Sequence, residues 1–155
     1  MEIRRAVAKD IDALLVLNNQ IGLYHYEHAP HAFVEPSAAD RDFFLNALND
    51  GARLFLLAEI KDEVVGFITA VITQNETVPF LVRSPICRIG TIVVDESKRV
   101  KGVGTKLMVA CQNWAIDLGV EQIRLEVMSF NEVAQKFYEN LGFNIQSHIM
   151  SKQFG

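Results

Sequence analysis

Apolar positions change period several times along the chain, and each change marks an element. Residues 2–6 fit a short first strand. Asp10 then stands where an N-cap belongs, ahead of Ile11, Leu14, Leu15 and Leu17 at helical spacing. This helix is expected to fade before Pro30, within a polar and aromatic run of no clear period. A second helix follows over about residues 38–47, with Phe43, Phe44 and Leu48 as its apolar stripe. Residues 52–72 hold two apolar, β-branched runs separated by Lys61-Asp62-Glu63, which predicts an antiparallel hairpin with both strands largely buried. After a loop carrying Pro79 and Pro85, residues 89–94 read as a strand and residues 103–118 as a helix stopped by Gly119. Residues 123–128 form the next strand, Asn131 opens a helix, and Gly142 ends it at C′. An extended tail from Phe143 toward Phe154 is expected to give one long strand or a stunted pair. The order β-α-α-β-β-β-α-β-α-β describes an α/β fold, a mixed sheet with helices on both faces.

At 155 residues, half of them hydrophobic, the chain buries roughly two-thirds of its unfolded surface as one domain, residues 1–155. There is no repeat and no linker. No apolar run spans a membrane, and the basic start is not followed by a signal peptide's apolar region, so a cytoplasmic protein is expected, with no membrane partner. Cys87 and Cys111 fit neither a disulfide framework nor a metal pattern and are expected as buried thiols. A formal charge of −4 argues against nucleic acid as partner.

One loop changes the picture. In Arg99-Val100-Lys101-Gly102-Val103-Gly104-Thr105-Lys106-Leu107, two glycines stand among cations after a strand and at the start of a helix. A third glycine of the dinucleotide fingerprint is missing, since Leu107 holds its place, and Gly104-Thr105-Lys106 does not match a Walker loop. Both nucleotide readings fail. Two remain: a turn that merely uses glycine, and an anion seat built from unpaired helix N–H groups, the dipole's positive end, and the charges of Arg99 and Lys101.

This stretch resembles the acetyl-coenzyme A loop of the GNAT superfamily of N-acetyltransferases, Arg/Gln-x-x-Gly-x-Gly/Ala, matched by Arg99, Gly102 and Gly104. A second block of that family, Asn-x-x-Ala-x-x-Phe-Tyr-Glu-x-x-Gly-Phe, is matched by Asn131, Ala134, Phe137, Tyr138, Glu139, Gly142 and Phe143. The opening strand and helix and the hairpin are also similar to the family's, so the resemblance covers nearly the whole chain. It implies the GNAT fold, a mostly antiparallel sheet whose two central strands splay to admit the cofactor arm. Backbone amides of Val100, Lys101, Gly102, Val103, Gly104 and Thr105 would hold the pyrophosphate. Val93 and Val94 would pair with the pantetheine arm, Asn131 would touch it, and Tyr138 would face the sulfur. Tyr24, His25, Tyr26, Glu27 and His28 fall where the family places its acceptor wall, an amphipathic surface being the plainer alternative. The histidine spacing, broken by Pro30, does not suit a metal, and none is expected.

Direct transfer needs a neutral amine, an oxyanion donor and a proton for the thiolate. Tyr138, with a reference pKa of about 10, suits the acid role, or else simply packs. Where some members carry a glutamate on the strand before the loop, this chain has Arg88, which cannot act as a base. Glu126 is the remaining candidate, projecting opposite Leu125 and Val127 if residues 123–128 are a strand; a structural carboxylate and a water chain are its alternatives. Freeing a lysine-like amine of pKa about 10.4 at pH 7 costs roughly 4.6 kcal/mol, against about 1.4 for an α-amine near 8. A small-molecule amine or peptide N-terminus is therefore the expected acceptor. A coenzyme A-binding sensor without turnover is the alternative class. The short tail leaves a sheet edge uncovered, which favours a homodimer.

Overall fold

The computed structural model describes the backbone of residues 1–155 and all side chains except those of Arg99, Val100 and Lys101. In chain order the elements are β1 (Glu2–Arg5), α1 (Ile11–His28), α2 (Ala39–Asn49), β2 (Arg53–Ile60) and β3 (Glu63–Thr73). There follow β4 (Ile86–Val94), α3 (Val103–Asp117), β5 (Ile123–Arg124) and α4 (Glu132–Asn140). Single 3₁₀ segments lie at Ala8–Asp10 and Glu96–Lys101.

Asp10 occupies the N-cap position of α1, but its side chain caps no helical N–H. It accepts instead from the Val7 N–H at 2.9 Å and from both Arg4 Nη atoms at 2.9 and 3.0 Å. Those Arg4 bonds, against the opposing effect of burial, hold the carboxyl below its ordinary range. The knot ties β1 to the first turn of α1. The helix ends before Pro30 as expected, its last turn closed by Ala29 N–H donating to the His25 carbonyl at 2.8 Å. On α2 the expected stripe splits: Phe44 is buried while Phe43 is 67% exposed.

The hairpin forms around Lys61 and Asp62, whose φ values of 51° and 65° mark a two-residue turn of type I′, whose twist matches that of the strands it joins. The strands run in the order β1-β2-β3-β4-β5. All neighbours are antiparallel except β4 and β5, which are parallel. Both sheet faces are covered. Ile11, Leu14 and Leu17 of α1 and Phe44 of α2 pack on Phe55, Leu57, Phe67 and Val93. On the other face Val103, Leu107, Met108, Cys111 and Ala115 of α3 pack on Leu54, Ala58, Ile68 and Cys87, with Tyr138 of α4 and Leu141 just after it alongside. Two-sided burial is why β2 and β3 read as nearly continuous apolar runs. Cys87 and Cys111 are buried and free. Among the described residues no helix is long and apolar enough to cross a membrane.

Two expectations need correction. The strand expected over residues 123–128 stops at Arg124, because β4 and β5 pair only at Cys87 with Ile123 and Arg88 with Arg124. Just beyond Arg88, β4 carries a bulge: Thr69 of β3 pairs with Thr91 and Ala70 with Ile89, leaving Gly90 as the extra residue. A bulge bends and twists its strand, which draws β4 away from β5. The tail, residues 143–155, joins no sheet. A two-residue β5 offers no edge long enough to pair with, and Ile145, Ile149, Met150 and Phe154 are 71–92% exposed.

Candidate active site

The glycine loop is built from the end of β4 outward. Asp95 turns the chain: its carboxylate accepts from Ser97 N at 3.0 Å and Ser97 Oγ at 2.8 Å, and its carbonyl accepts from Lys98 N at 2.8 Å. After the 3₁₀ segment, Gly102 caps α3 with φ of 73°, a left-handed conformation that favours glycine. At Gly104 a Cβ would come within 3.0 Å of Phe137 Cζ, so this glycine lets α4 close against the first turn of α3. Val103 is fully buried and anchors that turn in the core on this face of the sheet. Lys106 N–H makes a helical bond of 3.2 Å to Gly102 O, and the N–H groups ahead of it are those a helix start leaves without helical partners. The side chains of Arg99, Val100 and Lys101, all expected at this loop, lie outside the described residues.

On the far side of the parting strands stands α4. Asn131 caps it, its Oδ1 accepting from Ala134 N at 3.1 Å, which commits the oxygen and leaves the amide N–H groups for other partners. Gln135 Nε2 fastens the link before α4 by donating to Met128 O at 3.2 Å and Ser129 O at 3.0 Å. Tyr138 packs between Phe137 and Phe143, with ring centroids 5.4 and 5.8 Å away. Burial pushes its phenol up to about 12. Such a group keeps its proton firmly, suiting it to donate a hydrogen bond more than to surrender a proton. Among the described residues its hydroxyl has no hydrogen-bond partner. Glu126 is not on a strand, so the alternation argument for it does not apply; its side chain is exposed. Arg88 is also exposed and donates from Nε to Thr73 Oγ1 at 2.9 Å.

The C-terminal turns of α1 meet the link before α4 through aromatic rings. His28 stacks on Phe130 with centroids 4.8 Å apart and planes inclined by 15°. Tyr24 and His25 reach the same ring at 5.5 and 5.7 Å, and Phe33 lies 4.8 Å from His25. The ring contacts bring Tyr24, His25 and His28 together, with Phe130 and Phe33 added. Tyr26, roughly 200° round the helix from Tyr24, takes no part, and Glu27 is exposed. Each histidine has Nδ1 2.8 Å from the carbonyl four residues earlier, His25 from Ile21 and His28 from Tyr24. A carbonyl only accepts, so Nδ1 carries the proton, and a neutral ring then has its lone pair at Nε2.

A cavity of about 300 Å³ beneath α1 and α2 was not legible in the sequence. Its lining draws on Asn18 of α1, Asp40 and Phe43 of α2, Arg53 of β2, and Thr69, Gly90 and Thr91 at the bulge. Buried Thr69 accepts from Thr91 N at 3.1 Å through its Oγ1. A Cβ at Gly90 would stand 2.9 Å from that oxygen and 3.6 Å from Arg53 Nη1. Asp40 Oδ2 accepts from Asn18 Nδ2 and Ser37 N, each at 3.3 Å. The buried Nε of Arg53 has no hydrogen-bond partner among the described residues, an arrangement that costs a few kcal/mol for a charged donor unless a ligand meets it. No local period marks these residues, which come from five elements; the only signal was a glycine inside an apolar strand, the usual mark of a bulge.

Comparison with known proteins completes the description. The model of the acetyltransferase (GNAT) family matches residues 21–143. An N-alpha-acetyltransferase of Sulfurisphaera tokodaii is 30% identical over 146 residues, covering 91% of this chain and 78% of the relative. Among solved structures, a tetramutant of the BH1408 protein from Bacillus halodurans superposes with a TM-score of 0.93 at 24% identity, over 99% of this chain and 100% of that one. The aminoglycoside N-acetyltransferase AAC(6')-Iy, solved in complex with CoA, gives 0.73 at 21% identity over 99% of each chain.

Proposed function

Because the chain belongs to the GNAT family of acetyltransferases, we propose that it moves acetyl from acetyl-coenzyme A to an amine nitrogen by direct attack. The observation that carries this reading is the coincidence of two features at one end of β4. The strand parts from β5 after two residue pairs, and it runs into a glycine-capped helix against whose first turn Gly104 lets Phe137 of α4 pack closely. A thioester arm laid along Val93 and Val94 enters the parting, while main-chain N–H groups from Val100 to Thr105 receive the pyrophosphate.

Acetyl-coenzyme A supplies an activated acyl group, and the chain's own residues align and stabilise. The amine nitrogen bonds the thioester carbon, the carbon–sulfur bond breaks, and the proton lost from nitrogen ends on sulfur. Tyr138 hydrogen-bonds the departing sulfur and Asn131 positions the arm. Tyr24, His25 and His28 wall the approach, and Tyr26, on another face of α1, stands outside it. Glu126, exposed as it is, serves as base only by way of solvent. The histidine Nε2 lone pairs are a second route for that proton. The acceptor is a small-molecule amine or a peptide N-terminus; the relatives include one enzyme named for each kind. The chain acts as a homodimer in the cytoplasm.

The exposure of Glu126 and the presence of Arg88 favour a second reading, a coenzyme A-binding module without efficient turnover. Titration calorimetry with acetyl-coenzyme A, followed by thiol release with a panel of amines, tests both. Binding with thiol release supports the enzyme, binding alone supports the module, and no heat from folded protein overturns both.

A further inference from the structure

We infer that the cavity between α1, α2 and the bulged strands seats a free α-amino acid, its carboxylate on Arg53 and its α-amino group on Asp40. The inference names the acceptor and rests on the acetyl-transfer reading for that amino acid's fate, though not for its binding.

Two opposite charges line this cavity without meeting. Among the described residues no ion pair joins Arg53 to Asp40, although both border the same 300 Å³. The Arg53 guanidinium is a planar fork suited to a carboxylate; its Nε is buried and unpartnered, and its Nη1 lies over the space that Gly90 leaves clear. Also on the lining, Asp40 is held by Asn18 and Ser37 through Oδ2, which leaves Oδ1 to accept from a cation. A simple carboxylate would satisfy Arg53 and be repelled by Asp40. A simple amine would do the reverse. A ligand bearing one charge of each sign a few ångströms apart satisfies both, and the α-amino acid is the smallest common one.

Size and lining agree. The volume is at the low end for small-molecule pockets, too small for a folded partner. Phe43, Phe44, Ala47 and Phe55 supply apolar wall for an apolar side chain. A peptide N-terminus has an amide where the amino acid has its carboxylate, so it brings no charge to Arg53. Position agrees too: Thr91, on the lining, directly precedes residues 92–94, the stretch of β4 against which the thioester arm is proposed to lie. In the transfer the α-ammonium releases one proton to solvent, its nitrogen bonds the acetyl carbon, the carbon–sulfur bond breaks, and the second proton ends on sulfur.

The test is calorimetric titration of the full chain with leucine, methionine and phenylalanine, their carboxamides and the matching amines lacking the carboxylate. Acetyl-coenzyme A is titrated in parallel. The free acids should bind at least tenfold more tightly than the amides or amines, and Arg53→Met should erase that preference while acetyl-coenzyme A still binds. Equal affinity for acid and amide, or no binding of any acid by a chain that binds acetyl-coenzyme A, overturns the site. Binding of acids without acetyl-coenzyme A keeps the site and removes the acetyl-transfer reading instead. Acids that bind but yield no N-acetyl product by mass spectrometry, in a chain that releases thiol with other amines, overturn the acceptor role. Should Arg53→Met fail to fold by circular dichroism, the comparison of acid with amide in the unsubstituted chain decides alone.

Discussion

At the scale of single residues, Tyr138 carries the sharpest expectations. In the proposed transfer, a phenol that holds its proton would stabilise the leaving sulfur through a charge-assisted hydrogen bond, which is worth about 1.5–3 kcal/mol. Tyr138→Phe should therefore lower kcat about 10- to 100-fold with KM for acetyl-coenzyme A little changed, as steady-state thiol release will show; an unchanged kcat would reduce Tyr138 to packing. The same burial has a consequence for stability. The phenol is pushed up to about 12 in the fold, against about 10 when unfolded. Below pH 10 both states hold the proton and the preference for the neutral form is complete. From pH 10 to 12 the unfolded chain loses it first, so stability declines, by about 3 kcal/mol at most. Urea unfolding between pH 9 and 11 should show a shallower decline in Tyr138→Phe. Tyr138 and Asn131 were legible because each lies in a block of fixed spacing. Arg53 and Asp40 were not, because neither has a neighbour in sequence that hints at the other.

At the scale of elements, what the sequence revealed best was where helices begin and end. Asn131, Gly119 and Gly142 act locally, through one cap bond or one positive φ. The hairpin was equally clear from its two apolar runs, yet its turn is built from residues poorly matched to it. Lys61 and Asp62 both adopt φ above 50°, which costs a side-chain-bearing residue about 1–2 kcal/mol. Replacing the pair by Asn-Gly, the preferred residues of this turn, should raise stability by about 1–2 kcal/mol and the melting temperature by about 2–8 °C by calorimetry. β5 shows where local reading stops. Residues 123–128 are apolar and β-branched enough for a full strand, but the bulge at Gly90 turns the partner aside, and no pattern within the segment reports what its neighbour does.

At the scale of the whole molecule, the tail sets the expectation. Beyond Phe143 four large apolar side chains are 71–92% exposed, and the sheet ends in a strand of only two residues, a combination that a second copy would cover. Sedimentation at micromolar concentration should give the mass of a dimer, and removing residues 144–155 should give a monomer; a full-length monomer would end the dimer proposal. The α/β layering was visible from the chain as a whole, since strand order and helix faces follow from alternating elements, whereas the cavity was not, being assembled from both halves of the chain. One last consequence belongs to the seam between β4 and β5. With only two rungs to hold it, β5 is anchored beneath by Ile123 and Leu125, which pack on the layer of α3 that Leu141 and Phe143 also cover. The width of the opening is thus governed from beneath, and repacking that hidden layer would retune the gap without altering a single residue that borders it.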